Sequence, residues 1–431
     1  MGHAVSGQVV TQPRIHPAWI VLFAVTLSMM TASGLRTAFG VYVKPMEAEF
    51  GWSRAALSEV AAISLLLLGS VSPLAGRLAD RWGPRRVVVL SIVLLGVGAI
   101  SSAFVRQLWH VYVTAGILMA LGSGGAGLSA GATLIARWFE ARRGLAIGLA
   151  GAALSLGQLG IIPLAAALTL SHGWRTSYLL LGLGLLALVL PVAFGLIRNN
   201  PEDRGLQPYG ATGPVRTSAE LSVLQRTGRV SLTEAARFPQ LWLLMATQFV
   251  CGYTSIGMIL THFMPHALDH GFTEIQASMA FGVMGTMNVV GTIASGWMCD
   301  RFGRCGPLAT FYFVRGLSLL FLPYIWNVPS LHVWAAIFGL NYISTVPPTT
   351  SLTVNIFGRH SVGELSGWIF FAHQVGAALG AALAGWVFEW TGTYTSAFVS
   401  AALVAFVGTG LTLLIREEPV GSRPTPAPAT A

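Results

Sequence analysis

The sequence predicts an all-α membrane protein in which twelve transmembrane helices form two parallel six-helix pseudo-repeats. The first observation is composition, since 54% of the 431 residues are hydrophobic and only 10% are charged, against about 25% in a soluble domain. The second is that the hydrophobic residues fall into runs long enough to cross about 30 Å of hydrocarbon as helices. The third is an internal repeat. The runs cover residues 18–43, 55–75, 87–104, 110–136, 144–170, 175–197, 241–263, 275–298, 307–326, 332–357, 364–388 and 393–415.

The repeat is clearest in a charged turn that occurs once in each half of the chain. The segment GRLADRWGPRR at 76–86 follows the second run and GWMCDRFGRCG at 296–306 follows the eighth, so Asp80 and Asp300 are 220 positions apart. Three further pairs of segments match at offsets of 218 to 220, among them GWSRAALS at 51–58 with GFTEIQAS at 271–278. Each half has an even number of helices, so both copies have the same orientation in the membrane.

The repeat divides the chain into five parts. These are a cytoplasmic N-terminus (1–17), a first six-helix bundle (18–197), a cytoplasmic linker (198–240), a second six-helix bundle (241–415) and a disordered cytoplasmic tail (416–431). The linker is rich in Pro, Gly, Ser, Thr and Arg, which is typical of a connection and not of a domain. Near its end, Ser231 followed by Glu234 predicts a short capped helix.

The net charge of +9 indicates how the helices are oriented and does not indicate a nucleic-acid partner. With the N-terminus inside, most of the 25 Lys and Arg residues lie in cytoplasmic loops and tails, and Arg36 and Arg315 fall inside predicted helices. The outer loops contain Lys44, Arg54, Arg106 and Arg175. Such a bias marks the cytoplasmic side. We therefore expect a monomeric, multi-pass protein of the inner (plasma) membrane with both termini in the cytoplasm.

The sequence offers no site for catalysis or for a cofactor. Cys251, Cys299 and Cys305 are too few for a disulfide framework and are expected to be free thiols. The sequence has no HExxH segment, no Walker loop and no Cys/His cluster with metal-ligand spacing. We predict a protein that is not an enzyme and that uses no metal or cofactor.

The charged turn, G-x-L-x-D-R-x-G-x-R-R, resembles the signature of the major facilitator superfamily, and the match covers the whole chain. The resemblance implies the fold of that superfamily and a rocker-switch cycle, in which the turn acts as a latch between the cytoplasmic ends of the two halves. The latch residues would be Gly76, Asp80, Arg81, Gly83, Arg85 and Arg86, with Asp300 and Arg301 in the second copy. Asp80 is expected at the positive end of a neighbouring helix. Because Cys305 replaces a basic residue, the second latch should be weaker. Alternatively, the arginines only set the topology.

Three segments resemble the branch of this superfamily that contains the monocarboxylate transporters and the oxalate/formate antiporters. They are SGLRTAFGVYVKPMEAEFGWSRAALS at 33–58, GSGGAG at 122–127 and RWFEARRGLAIGLAGAALSLGQ at 137–158. In that branch, helix eight is expected to carry an acid and an arginine for the substrate carboxylate, but the residues here are Asn288 and Thr292. The glycines of helix four predict a close approach to helix five.

Arg36 is the best candidate for binding an anion in place of that charge pair. An arginine inside a helix of this kind costs about 2.5 to 3.5 kcal/mol on insertion scales and is usually directed at a cavity or a partner. Ser33, Arg36 and Thr37 share one face of the helix. Alternatively, Arg36 pairs with Glu59 and only holds helices together. Glu59 is itself a candidate proton site near the outer mouth, or else a solvated residue without a role in coupling.

Further candidates are polar residues inside the predicted helices, which either bind substrate or hydrogen-bond to a neighbouring helix. They are Gln248 and Tyr253 in helix seven, Asn288 in helix eight, Asn341 and Tyr342 in helix ten, and His373 and Gln374 in helix eleven. In helix ten, Pro347 and Pro348 remove two backbone donors and predict a kink.

Together these features predict a secondary active transporter of small organic anions, namely monocarboxylates or related carboxylates, with protons as a candidate coupling ion. One alternative is an exporter of an amphipathic metabolite or drug, in which Arg36 would be structural. An alternative of another class is a membrane sensor with a transporter fold. The expected partners are the substrate anion, the lipid bilayer and, if transport is coupled, protons.

Overall fold

The computed structural model describes residues 16–212 and 229–419, and these residues are almost entirely helical. Within them, the only β pairing is an isolated bridge between Phe139 and Tyr209. Eleven helices of this part of the chain are long and apolar enough to cross a membrane. The tenth hydrophobic run forms two shorter helices in succession. The predicted all-α architecture with twelve hydrophobic segments is therefore confirmed.

We number these segments α1 to α12. They are α1 (Pro17–Phe50), α2 (Arg54–Trp82), α3 (Pro84–Ser102), α4 (Leu108–Trp138), α5 (Arg143–His172), α6 (Trp174–Leu196), α7 (Pro239–Asp269), α8 (Glu274–Phe302), α9 (Cys305–Phe321), α10 (Val328–Asn341 and Val346–Phe357), α11 (Val362–Thr391) and α12 (Thr395–Leu413). Several extend beyond the hydrophobic runs because polar residues cap their first turn, as Thr273 does where its side chain accepts the Gln276 N–H of α8 at 3.2 Å.

Two helices that correspond in the two repeats, α4 and α10, are interrupted at corresponding places. A segment of α4 ends at Gly125 and the next begins at Leu128, whereas α10 stops at Asn341 and resumes at Val346. Pro347 lies in the first turn of the second α10 segment, where its missing N–H needs no partner. The proline pair therefore starts a new helical segment instead of kinking a continuous one.

The two largest contacts between the halves are those of α2 with α11 and of α5 with α8. Glycines make both contacts close. A Cβ atom on Gly76 would lie 1.9 Å from the carbonyl oxygen of Gly363, and one on Gly296 would lie 2.3 Å from that of Gly144. A side chain at either position would push the halves apart.

The glycines of α4 were predicted to bring it close to α5, and that prediction is wrong. Gly122 lies against Ser91 of α3, and Gly131 lies against Met29 of α1. The main partners of α5 are α1 and α8. The helical period shows which residues share a face, but it does not show which neighbouring helix that face meets.

The closest glycine contacts between the two halves lie near the α2–α3 and α8–α9 turns, at what we call the closed end. Farther along the helices the contacts are looser, since a Cβ on Gly285 of α8 would lie 3.7 Å from Leu159 of α5. Gly282 of α8 and Gly40 of α1 lie toward the opposite end, and no atom is within 4 Å of where a Cβ on either would be. We call this opposite side the open end.

Both described parts of the linker contact other segments, the first at the α4–α5 loop and the second at the start of α11. The carbonyl oxygen of Tyr209 accepts the N–H groups of Glu140 and Ala141, each at 3.0 Å. The Ser231 hydroxyl accepts the Glu234 N–H at 3.2 Å and begins the helix Leu232–Ala235, as expected. Residues 1–15, the middle of the linker (213–228) and the end of the tail (420–431) lie outside the described residues, so the predicted disorder of the tail is untested there.

Candidate functional site

Arg36 lies on the polar stripe of α1, in the part of the helix that leads to the open end. At Ser33 the stripe borders α5, because the Ser33 hydroxyl donates to a backbone carbonyl of α5 at 3.0 Å and accepts from Gln158 Nε2 at 3.3 Å. The Thr37 hydroxyl donates to the Ser33 carbonyl at 2.8 Å. Arg36, one turn beyond Ser33, is half-buried. Gln158 was not predicted, because its contact with the stripe depends on the packing of α1 on α5.

Arg36 has no hydrogen-bond or ion-pair partner among the described residues. The alternative that it pairs with Glu59 is wrong in this state. Glu59 is exposed, and its carboxylate accepts a hydrogen bond from the Tyr112 hydroxyl at 2.7 Å. A half-buried guanidinium with its five N–H donors unused is suited to bind an anion.

Asn288 joins three segments and is not open to a cavity in this state. It is 2% exposed, and its Nδ2 donates to the Ser155 hydroxyl of α5 at 2.6 Å. Its Oδ1 accepts the Ile343 N–H in the α10 break at 3.0 Å and the Thr292 hydroxyl at 3.2 Å. The side chain thus connects α8 to the other half and to the interruption of α10, which makes it an interhelical link here.

The remaining candidates of the second half differ in how much surface they expose. Asn341 donates to a carbonyl of its own helix at 2.7 Å, and His373 Nδ1 lies 3.0 Å from Gln374 Oε1. The buried candidates are Gln248, Tyr253, Asn341 and His373, and the half-buried ones are Tyr342 and Gln374. Tyr342 and Gln374 therefore have the most surface to offer a ligand.

Arg315 of α9 was not a predicted site residue, yet it organises the second half. It is fully buried, and its Nη2 donates to the carbonyls of Asn341 and, at 2.9 Å, Tyr342. Its Nη1 donates to the Thr254 hydroxyl of α7 at 3.3 Å. These carbonyls end the first α10 segment, where the helix dipole favours a cation. Its sequence signal, an arginine inside a hydrophobic run, is the same one that drew attention to Arg36.

At the closed end, Asp80 lies at the N-terminus of a helix of the other half. Its carboxylate accepts the N–H of Gly363 at 3.1 Å and that of Glu364 at 2.8 Å, at the start of α11. These donors have no partner within their own helix, and the positive end of the helix dipole favours a carboxylate there. Asp80 thus ties α2 to α11.

Asp300 makes the equivalent contact in the opposite direction. Its carboxylate accepts the N–H groups of Gly144 and Leu145 at the start of α5, both at 2.8 Å. The second contact therefore has as many hydrogen bonds as the first, and the weaker second latch stays a prediction. Arg85, which corresponds to Cys305 in the first half, takes no part in the Asp80 contact either.

The arginines of the first charged turn, which were predicted as latch residues, do not contact the Asp80 carboxylate. Arg81 and Arg86 are exposed, and Arg85 donates to a carbonyl of α6 in its own half at 2.8 Å. The cation beside Asp80 is Arg137 of α4, whose Nη2 donates to the Asp80 backbone carbonyl at 3.3 Å and whose charge acts on the carboxylate. Arg137 comes from a distant part of the chain, which is why the motif alone did not identify it.

The backbone of the two charged turns is alike, and glycine is required in both. Gly83 has φ of 91° and Gly303 has φ of 81°, a region that other residues rarely adopt. Arg301 is exposed and its guanidinium lies 5.8 Å from the ring of Trp297. Arg301 therefore does not contribute to the Asp300 contact.

Next to Asp80 lies an ionic contact that was not predicted from the sequence. Glu364 pairs with Arg229 of the linker at 3.0 Å and lies 3.9 Å from Arg77 of α2. The backbone N–H of Val230 donates to the Ser361 hydroxyl at 2.8 Å. The end of the linker is thus attached to the start of α11, next to the helix N-terminus that Asp80 occupies.

Comparison with known proteins agrees with this architecture. Residues 21–381 match the family model described as Major Facilitator Superfamily. The chain is 28% identical over 381 residues to an uncharacterized MFS-type transporter, YcxA, of Bacillus subtilis, covering 86% of this chain and 87% of that one. It is 28% identical over 377 residues to monocarboxylate transporter 11 of Mus musculus, covering 84% of this chain and 79% of the other.

Solved structures share the fold at low sequence identity. The proton:xylose symporter XylE matches with a TM-score of 0.72 at 15% identity, covering 93% of this chain and 96% of that one. FucP in the outward conformation matches with a TM-score of 0.71 at 16% identity, covering 93% and 100%. The family model, the relatives and the helical architecture agree. The chain belongs to the major facilitator superfamily and is a multi-pass membrane transporter, not an enzyme.

Proposed function

We propose that the protein transports a small monocarboxylate or related organic anion, and that Arg36 binds its carboxylate. One observation carries the proposal: a half-buried arginine on a polar stripe has no partner among the described residues. A cation in this setting is stabilised when an anion binds to it. The similarity to monocarboxylate transporter 11 of Mus musculus supports the same substrate class.

We propose that the closed end faces the cytoplasm, so that the structure represents an outward-open state. The positive-inside bias of the loops supports this orientation. In the cycle, binding of the anion from the open end is followed by closure there and by separation of the halves at the closed end. This separation exposes the N-termini of α5 and α11 to water. Water then accepts the backbone N–H groups that Asp300 and Asp80 accept in the closed contact.

Replacement of Arg36 tests the substrate proposal. Arg36→Ala should weaken binding of lactate to purified protein about ten- to one-hundredfold, the equivalent of one charged hydrogen-bonding group. Arg36→Lys should lose less, since it keeps the charge but not the planar fork of donors. Binding is measured by thermal shift, where ligand at 100 times its Kd adds about 2.7 kcal/mol of stability.

Arg106→Ala is the matched control, because Arg106 is an exposed arginine in the loop between α3 and α4 at the open end. It should bind lactate as the unaltered protein does. Unchanged lactate affinity in Arg36→Ala would refute the role of Arg36. Stabilisation by tetraphenylphosphonium but by no carboxylate would instead favour the exporter alternative.

Proton coupling through Glu59 is a separate proposal. Glu59 is the acid of α2 nearest the open end, and the Tyr112 hydroxyl already donates to it. Glu59→Gln removes the titrating group while keeping an acceptor for Tyr112. If Glu59 carries the proton, acceleration of uptake by an inward proton gradient should disappear in this variant. Equal acceleration in both proteins would exclude Glu59 as the coupling site.

A further inference from the structure

Two arginines of the first half converge on one carbonyl oxygen at the surface of the closed end. Arg85, in the first turn of α3, donates from Nη2 to the carbonyl of Phe194 at 2.8 Å. Arg198, just after α6, donates from Nη1 to the same oxygen at 3.2 Å and to the carbonyl of Ile197 at 3.1 Å. Arg204 adds a third positive charge. Partial burial and the charges of Arg85 and Arg204 lower the pKa of Arg198. We call Arg85, Phe194, Arg198 and Arg204 the arginine corner.

No carboxylate forms an ion pair with these arginines in the described part of the chain. Asp203 opposes the effect of Arg85 and Arg204 on the pKa of Arg198 but acts less strongly than either. Its carboxylate accepts the backbone N–H of Asn200 at 3.1 Å. A guanidinium has five N–H donors, and the side chain of Arg85 uses one. The remaining donors are available to an external anion.

The arginine corner lies at the end of an apolar surface. Phe194 is 60% exposed, and the guanidinium of Arg85 lies 4.7 Å from the centroid of its ring. Leu188 on α6 and Leu90 on α3 are also well exposed. In a transmembrane bundle, exposed apolar side chains of this kind contact lipid tails. The corner therefore lies where the lipid tails meet the headgroups.

At the corresponding place in the second half, an acid lies beside the basic residues. At offsets of 218 to 220, Cys305 corresponds to Arg85, Arg416 to Arg198 and Glu417 to Asn199. Glu417 accepts the backbone N–H of Cys305 and pairs with Arg304, each at 3.1 Å. Asn199, a neutral amide, accepts the backbone N–H of Arg85 at 3.0 Å. Among the described residues, the second corner thus contains an acid paired with an arginine, whereas the arginines of the first corner have no carboxylate partner.

We propose that the arginine corner binds the phosphate of an anionic phospholipid, with the lipid chains along Phe194 and the adjoining apolar surface. The free donors of Arg85 and Arg198 match phosphate oxygens, and an arginine is suited to this geometry. Bound lipid would relieve the repulsion between the two guanidinium groups and stabilise the contact of α3 with α6. The site does not depend on Arg36 or on the substrate.

The test compares lipid binding by the full-length protein and its variants. Native mass spectrometry of detergent-purified protein with phosphatidylglycerol or phosphatidylcholine should show preferential retention of phosphatidylglycerol. Arg85→Gln and Arg198→Gln should each weaken this binding about fivefold, the contribution of one arginine near an anionic surface. The matched control is Arg416→Gln, which removes the corresponding arginine of the second half and should leave the binding unchanged.

A gain of binding provides a second readout. The variant Cys305→Arg with Glu417→Asn places a second arginine near Arg416 and removes the acid beside it, as in the first half, and should retain one additional phosphatidylglycerol. The proposal is overturned if the Arg85→Gln, Arg198→Gln double variant retains phosphatidylglycerol as the unaltered protein does. It is also overturned if Arg416→Gln loses as much lipid as Arg198→Gln, or if inorganic phosphate displaces the lipid at equal concentration, which would identify a site for the free anion.

Discussion

The two halves share a helical plan but use their membrane-embedded arginines in opposite ways. Arg36 of the first half is half-buried and has no partner among the described residues. Arg315 of the second half is fully buried and bonds to the α10 break and to α7. Arg36 is therefore available to a ligand, whereas Arg315 is hydrogen-bonded within its own half. Position within a hydrophobic run therefore does not by itself distinguish a binding residue from a structural one.

The largest expected effect comes from removing Arg315. Arg315→Met leaves the carbonyls of Asn341 and Tyr342 without their partner inside the bundle, at about 1 to 3 kcal/mol for each unsatisfied group. We expect a loss of about 2 to 6 kcal/mol in the free energy of unfolding, measured as a lower thermal midpoint in detergent. Arg36→Met is the matched control and should unfold at or above the original midpoint while losing carboxylate binding. Equal thermal midpoints for Arg315→Met and Arg36→Met would show that the two arginines do not differ in their contribution to stability.

The two aspartate contacts should give effects of intermediate and similar size. Asp80→Ala and Asp300→Ala each remove the carboxylate that caps a helix N-terminus, which is worth about 0.5 to 2 kcal/mol. Cys299 is a probe within the contact, since it is 2% exposed and adjoins Asp300. In a background with Cys251 and Cys305 replaced by Ser, the alkylation rate of Cys299 should rise about two- to thirtyfold in either variant. A large rise in only one of them would show that the two contacts are unequal after all.

The smallest expected effect concerns the link between Asn288 and Ser155. An interhelical hydrogen bond of this kind is worth about 0.6 kcal/mol on average. Asn288→Ala and Ser155→Ala should each change the same Cys299 alkylation rate about threefold. If the bond is the shared cause, the double variant should change little more than either single one. Additive effects would show that the two side chains act independently.

Much of the fold could be predicted because membrane helices must be long and apolar, and the duplicated turn related Asp80 to Asp300. The interruption of α10 was foreshadowed by Pro347 and Pro348, whose missing donors require a helix to stop or start. The partners of these features were not predictable from local pattern. Arg137 reaches Asp80 from α4, and the α4 glycines face α1, α2 and α3, because these contacts depend on how distant segments pack.

The candidate site was only partly predictable for the same reason. The spacing of Ser33, Arg36 and Thr37 placed them on one stripe, as the structure shows. The spacing could not show that Glu59 accepts a hydrogen bond from Tyr112 and does not pair with Arg36. Both arrangements are compatible with the same helical periodicity. Asn288 was recognised as polar and embedded, but its link to Ser155 crosses between the halves.

The aspartate contacts at the closed end have main-chain donors, and this has a consequence for how they tolerate mutation. The N–H groups of Leu145 and Glu364 are present whatever side chains those positions carry, with proline as the exception. Each contact can therefore be lost through its acid, or through proline, but hardly through other changes in the residue that donates. A contact in which only the aspartate depends on the side chain tolerates changes in the surrounding residues. The two halves can therefore carry different charges around their aspartate contacts.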